Sequence, residues 1–240
     1  MRKNFFLNLS FKYNFLYKYY LYYNLYIRNF KYLFRKSYSQ FDEDLFLKKY
    51  FKEKKNGFYI DIGCHHPFRG NNTYLLYKYG WSGINIDLNN LSIDLFRIFR
   101  PKDINICSAL SKEEGEIDYY LPNNNPLSSE ITISEKFTKI LETHHRNKYK
   151  RYKTKSITWK NIIDNYGYKF NLIDFLKIDI EGSDLEVLKS INLNEIKLDL
   201  LMIEAPDFDR ESRNEIISYL QSKNYKILYD NKLNVIFKKN

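Results

Sequence analysis

At 240 residues the chain is long enough for one sizeable hydrophobic core, and a single folded domain is the expectation. Its two cysteines, Cys64 and Cys107, exclude a disulfide scaffold and a four-thiolate zinc site, and they suit a reducing, cytoplasmic compartment. The net charge of +10 invites a nucleic-acid reading, but Arg2, Lys3, Lys12, Lys18, Arg28, Lys31, Arg35 and Lys36 all precede the first acid, Asp42; the chain beyond it is nearly balanced, so no nucleic-acid partner is expected.

Residues 1–38 come first in chain order as a basic, aromatic-rich N-terminal arm. Phe6, Leu9, Tyr13, Leu16, Tyr20, Tyr23, Ile27, Phe30 and Phe34 recur at spacings of three and four, which predicts a helix. No stretch reaches the ~18 apolar residues of a membrane span, and no small-residue cleavage site is present after it. Eight cations beside this stripe support two expectations. The arm either rests on anionic headgroups at the cytoplasmic face of a membrane, or packs on the domain or on a second subunit.

The domain proper is expected over 39–240, where strands and helices alternate. A helix is predicted over 42–51 and a strand over 58–62, ending in Asp61-Ile62-Gly63 and a His-Pro turn. A helix over 73–79, stopped by Gly80, leads to strand two at 83–87. Strand three covers 104–110 and a short extra strand 116–121, before an Asn- and Pro-rich loop, 122–126. The stretch 144–155 holds six basic residues and no acid and reads as a solvated loop, with His144 and His145 on the surface. Strand four is predicted over 175–180 and strand five over 198–204. A helix over 211–222 and a closing hairpin, 227–229 with 235–238, complete the pattern. Such alternation predicts an α/β, Rossmann-like fold with a mainly parallel sheet, helices on both faces and a C-terminal antiparallel hairpin.

In an open parallel sheet, ligands bind at the carboxyl ends of the strands, and acids recur there in this sequence. Asp61 closes strand one, Asp87 strand two, Asp179 and Glu181 strand four, and Glu204 strand five. Apolar strands have no structural need of carboxylates at their tips, because burying an unpaired charge is costly; any one alone could be a helix cap. None of the eight glycines supplies the G-x-G-x-x-G spacing that cradles a pyrophosphate, which weighs against a nicotinamide-dependent oxidoreductase or epimerase, the alternative on this fold. S-adenosylmethionine carries a sulfonium and an ammonium in place of phosphate, and an acid with a glycine at the first turn answers that chemistry. Asp61 and Gly63 meet this description, Asp87 is placed to accept both ribose hydroxyls, and Ala109 in strand three completes the expected cofactor set.

Several blocks resemble the FkbM family of S-adenosylmethionine-dependent methyltransferases: SQFDEDLFL from Ser39, GFYIDIGCHHP from Gly57, NNTYLLYKYGWSGINID from Asn71, RPKDIN from Arg100 and, most specifically, FLKIDIEGSDLEVL from Phe175. Asp184 stands where the family often has Glu, and Cys64 where Ala is common. The resemblance implies a class I methyltransferase fold and, in many members, O-methylation of a sugar or other hydroxyl, so a small-molecule or glycan acceptor is expected. A sugar hydroxyl needs a general base or a metal that lowers its pKa. The expected base or metal ligand is Asp179, with Glu181 as its partner in binding the acceptor; a divalent ion on Asp179 and Glu204 is the metal option. The alternative for Glu181 is a cap on a helix beginning near Ser183. Of the two turn histidines His66 is the favoured base, and His65 is expected to bond backbone. Cys64 reads as a small turn residue, and Trp81 and Trp159 as packing residues. A third reading of the whole chain is a non-catalytic basic protein that binds membrane or RNA through the arm.

Overall fold

The structure is a computed structural model that describes residues 14–52, 54–122, 131–145, 148–167 and 172–240. The apolar run Phe58–Ile62 forms β1, and Ser82–Asp87, β2, pairs parallel to it. Between them lies the short helix α3, Tyr74–Lys78, and before β1 lie two helices: α1, Asn14–Tyr23, and α2, Glu43–Phe51. After β2 come α4, Asn90–Phe99, β3, Ile104–Cys107, β4, Ala109–Leu110, and β5, Gly115–Pro122. The remainder is α5, Glu135–His145; β6, Tyr149–Ile157; α6, Trp159–Tyr166; β7, Ile173–Ile178; α7, Asp184–Ser190; β8, Leu198–Glu204; α8, Arg210–Ser222; β9, Tyr225–Asp230; and β10, Asn234–Lys239.

The main sheet runs β3-β2-β1-β7-β8-β10-β9. Its first five members are parallel, and β10 and β9 form the expected antiparallel hairpin. Strand residues alternate between two cores, as the pleat requires. Ile60, Ile62, Leu176 and Ile178 pack with Trp159, Val187, Leu188 and Leu220, whereas Tyr59, Phe175, Leu200 and Met202 pack with Leu47, Phe51, Leu76 and Trp81. Helices therefore cover both faces, and both tryptophans are buried as expected.

Three expectations are corrected. The single strand over 104–110 breaks at Ser108, so that β4 leaves the main sheet for a second one, β4-β6-β5. The basic stretch expected as a loop is largely strand: β6 pairs antiparallel with β5 over eight positions, and Arg151 and Lys153 meet Asp118 and Glu116 across the ribbon. Its charges lie along an exposed strand, whose pairing a count of charges cannot reveal. The side chains of His144 and His145 lie outside the described residues, as do 123–126 of the expected loop.

The N-terminal stripe is real from Asn14 on but rotated. A π turn, Asn24–Arg28, comes after α1, then a 3₁₀ turn, Phe30–Phe34. Tyr20, Leu21 and Leu25 are buried while Tyr23, Ile27, Phe30 and Phe34 face solvent, so the buried face already departs from the expected stripe at Tyr23, within α1. The buried set packs on Phe68, Tyr74, Leu75, Leu91 and Leu95. Of the two expectations for the segment, packing on the domain is the one found over 14–38; positions Phe6, Leu9 and Tyr13 lie outside the described residues. No helix among the described residues is long and apolar enough to cross a membrane.

Candidate active site

A cavity of about 480 Å³ opens at the carboxyl edge of the sheet, lined by Gly63, Asp87, Ala109, Asp179, Glu181 and Glu204 among others. At the first turn Gly63 takes φ +77°, and its amide donates to the Ile86 carbonyl at 2.9 Å. A Cβ there would lie 1.7 Å from the Asp179 carbonyl oxygen, so only glycine lets the tips of β1 and β7 approach this closely. At the tip of β2, the Asp87 carboxylate accepts from the His65 and Asn89 backbone amides, each at 2.7 Å. Burial outweighs those two bonds and pushes its carboxyl up to about 6.

Asp61 does not line the cavity. It is fully buried, accepts from Thr73 Oγ1 at 2.8 Å and Asn71 Nδ2 at 3.3 Å, and lies 3.2 Å from Lys177 Nζ. The expected cofactor contact is therefore corrected to a support beneath the turn. Lys177, to which sequence reasoning gave no role, ties the site together. Its buried ammonium also reaches Asp179 at 3.1 Å and donates to the Gly63 carbonyl at 2.9 Å. Burial alone would push it down, but Asp179 and Asp61 outweigh that and hold it above the ordinary lysine range. A lysine in the middle of the otherwise apolar run 175–178, beside two strand-tip acids, is the signal that could have found it.

His66 is corrected as well. Its ring is 3 % exposed; Nε2 lies 3.3 Å from Asn29 Nδ2 and 3.2 Å from Asn24 Oδ1, and Nδ1 accepts from the Phe68 and Arg69 amides. With both nitrogens engaged and the ring turned into the N-terminal segment, it clamps that segment to the turn. The histidine that lines the cavity is His65, at φ +53°, held neutral by burial and by Arg69, which lower its pKa to about 4. Cys64 is a buried turn residue packed on Ile93 and Phe96.

Beyond β7 the chain turns sharply. Asp184, at the start of α7, accepts from the Ile180 and Gly182 amides at 2.9 and 3.0 Å. Glu181 takes φ +56° between them, a strained backbone of the kind that persists where the surroundings fix it. It is Asp184 that serves this turn, and Glu181 is left to face the cavity. Carboxylate oxygens of Asp179, Glu181 and Glu204 lie within 4.8 Å of one another. Burial, then Asp179, Glu181 and Asp184, push the Glu204 carboxyl well above the usual range, as crowded acids must.

Part of the lining was missed from sequence: Tyr32, Arg35, Ser39 and Gln40 from the N-terminal segment and Arg69 after the first turn all line the cavity. A parallel sheet with helices on both faces, a glycine turn at β1 and acids at the tips of β2, β7 and β8 is the architecture of a class I methyltransferase. The profile of the Methyltransferase FkbM domain matches residues 61–227, and the chain belongs to that family. It is a methyltransferase family, whose methyl donor is in general S-adenosylmethionine. Curated proteins give no significant match. Among solved structures, similarity is found to a candidate RNA methyltransferase from Pyrococcus horikoshii, with TM-score 0.42, 12 % identity and coverage of 82 % of this chain and 83 % of that one. A candidate rRNA methylase from Clostridium thermocellum gives TM-score 0.38 and 10 % identity over 81 % and 95 % of the two chains. A candidate ribosomal RNA methyltransferase from Plasmodium falciparum gives 0.36 and 14 % over 85 % and 98 %. Likeness this distant identifies no acceptor for this chain. The expectation that nucleic acid is excluded as a partner is corrected: charge balance alone does not exclude it, and the acceptor is left open by these comparisons.

Proposed function

We propose that this methyltransferase transfers the methyl group of S-adenosylmethionine to a hydroxyl, the favoured acceptor being a sugar or glycan-type molecule. The observation that carries this reading is the trio Asp179, Glu181 and Glu204, three carboxylates in one cavity beside the Gly63 turn and Asp87. In this reading Asp87 accepts the ribose hydroxyls, while Gly63 and Ala109 let the cofactor lie close to the backbone. Methyl transfer is an in-line displacement: the acceptor oxygen forms a bond to the methyl carbon as the carbon–sulfur bond breaks, and its electron pair neutralises the sulfonium. The hydroxyl proton must leave, and Asp179, fixed by Lys177, takes it. Glu181 positions the acceptor, and Glu204, whose carboxyl is pushed up by burial and by the neighbouring acids, completes the trio. The same all-oxygen set fits a hard divalent ion, which when bound by Asp179, Glu181 and Glu204 would lower the hydroxyl's pKa.

Labelled S-adenosylmethionine offered with nucleotide-sugars, glycans and RNA, and then mass spectrometry, test the reading. Label on a hydroxyl oxygen of a saccharide is expected; transfer only to a base nitrogen would overturn it. A chelator that abolishes turnover, with recovery on added Mg²⁺, would assign the trio to a metal. In parallel, Asp87→Ala should weaken S-adenosylhomocysteine binding by about 10- to 150-fold, the equivalent of the roughly 1.5–3 kcal/mol of a hydrogen bond to a charged group.

A further inference from the structure

Besides its acids, the cavity has cationic lining residues. Arg35 and Arg69 both line it, and Tyr32, also on the wall, lies beneath Arg35 with the guanidinium carbon 4.2 Å from its ring centre. Arg69 is held by a weak bond to the neutral His65 ring, Nη2 to Nε2 at 3.5 Å. Burial, with the charge of Arg28, disfavours the Arg69 cation. Among the described residues, no ion pair joins a carboxylate to Arg28, Arg35 or Arg69, although acids line the same cavity. Two guanidiniums that line one cavity without a carboxylate partner suit an anionic group of its ligand.

We propose that Arg35 and Arg69 form an anion subsite that selects an acceptor carrying a phosphate group. This rests on the methyltransferase reading above and deepens it. Two ligands could bring an anion there, the acceptor or the carboxylate of the cofactor's own amino-acid end. The acceptor is favoured on charge. The cofactor's carboxylate carries one negative charge, whereas two guanidiniums with Arg28 nearby offer more than one positive charge and match a dianionic phosphate. The planar forks of arginine suit its oxygens in pairs. Location agrees, because Tyr32 and Arg35 come from the N-terminal segment and not from the strand tips where the proposed cofactor residues lie.

The test compares the wild type with Arg35→Gln and with the double variant Arg35→Gln/Arg69→Gln by calorimetry at fixed ionic strength. S-adenosylhomocysteine, 5′-methylthioadenosine, which lacks the amino-acid end, and inorganic phosphate are each titrated, phosphate onto both free and S-adenosylhomocysteine-loaded protein. Both nucleosides should bind all proteins within about threefold, while phosphate affinity falls by about tenfold or more in the double variant, a loss of some 1.4 kcal/mol. Arg35 is exposed, so its single variant keeps the fold and should show part of the same loss. A tenfold loss of S-adenosylhomocysteine with 5′-methylthioadenosine unchanged would assign the arginines to the cofactor's carboxylate and overturn the proposal. Phosphate that fails to bind the wild type, or binds every variant alike, overturns it too. A protein that takes phosphate through these arginines yet methylates no hydroxyl keeps the subsite and loses only the O-methyltransferase reading.

Discussion

Asp179 and Asp87 are both strand-tip carboxylates lining one cavity, but their surroundings set them to different work. Asp179 is ion-paired to Lys177 and 31 % exposed in its side chain, so it is open to the cavity and held in place. Asp179→Asn should leave S-adenosylhomocysteine affinity nearly unchanged and cut turnover by about 100-fold or more, the usual scale for a lost general base; wild-type turnover in that variant would remove it from the mechanism. Asp87 instead holds a raised pKa of about 6. Its folded form binds the proton more tightly than an unfolded aspartate with a pKa of 3.8, so its ionisation costs stability as pH rises from about 4 to 6. In the proposed reading ligand binding runs the other way, because the ionised carboxylate would accept the ribose hydroxyls. Affinity for S-adenosylhomocysteine should climb between pH 5 and 7, by at most about tenfold per unit for one proton, and flatten above about 6. Calorimetry across that range should show the climb lost in Asp87→Asn. These acids could be read from sequence because they end apolar strands. Which of His65 and His66 faces the cavity could not, since in a turn the backbone angle of each residue, not the residue type, decides where its side chain goes.

At the scale of elements, the β-α-β order, both tryptophans and the closing hairpin arise from apolar runs and turn residues, and the sequence carries them plainly. The misses have physical causes. In α1 the buried face runs through Tyr20 and Leu21 and leaves Tyr23 exposed, a choice of face that periodicity over a short aromatic-rich segment cannot resolve. β6 is a strand because β5 pairs with it, and pairing between distant segments leaves no local trace. The first turn shows how tightly two elements are joined. Gly63 and Gly70 both have positive φ, +77° and +60°, but a Cβ at Gly70 would meet nothing within 4 Å. Gly70→Ala should therefore cost only the left-handed penalty, about 1–2 kcal/mol. Gly63→Ala adds an overlap with the Asp179 backbone, so its melting temperature should fall much further and S-adenosylhomocysteine binding should be lost with it. Equal melting temperatures for the two variants would refute the close approach.

For the whole molecule, the boundary expected near residue 38 does not separate a dispensable arm from a catalytic unit. Leu25 and Tyr38 are buried against the domain, Asn71 donates its amide to the Tyr38 carbonyl, and Tyr32 and Arg35 wall the cavity. Deleting 1–38 should lower the melting temperature by several degrees or abolish cooperative unfolding, and should weaken ligand binding, because it uncovers Phe68 and Leu91 and opens one side of the site. A truncated protein that melts and binds like the full chain would restore the picture of an independent arm.

The sheet order has a consequence for synthesis. β10 comes after β9 in the chain, yet it lies inside the sheet, between β8 and β9, and Leu233 before it and Asn234 at its start line the cavity. Asn234 and Asn231 also reach back to Glu43, at 2.7 and 2.8 Å, across nearly the whole chain. A nascent chain halted at residue 230 thus holds every strand-tip acid but lacks the interior strand and the clasp between its two ends. Such high contact order makes for slow, late closure. Until translation passes β10, the edge of β8 stands open to any passing strand, and the cavity lacks part of its lining.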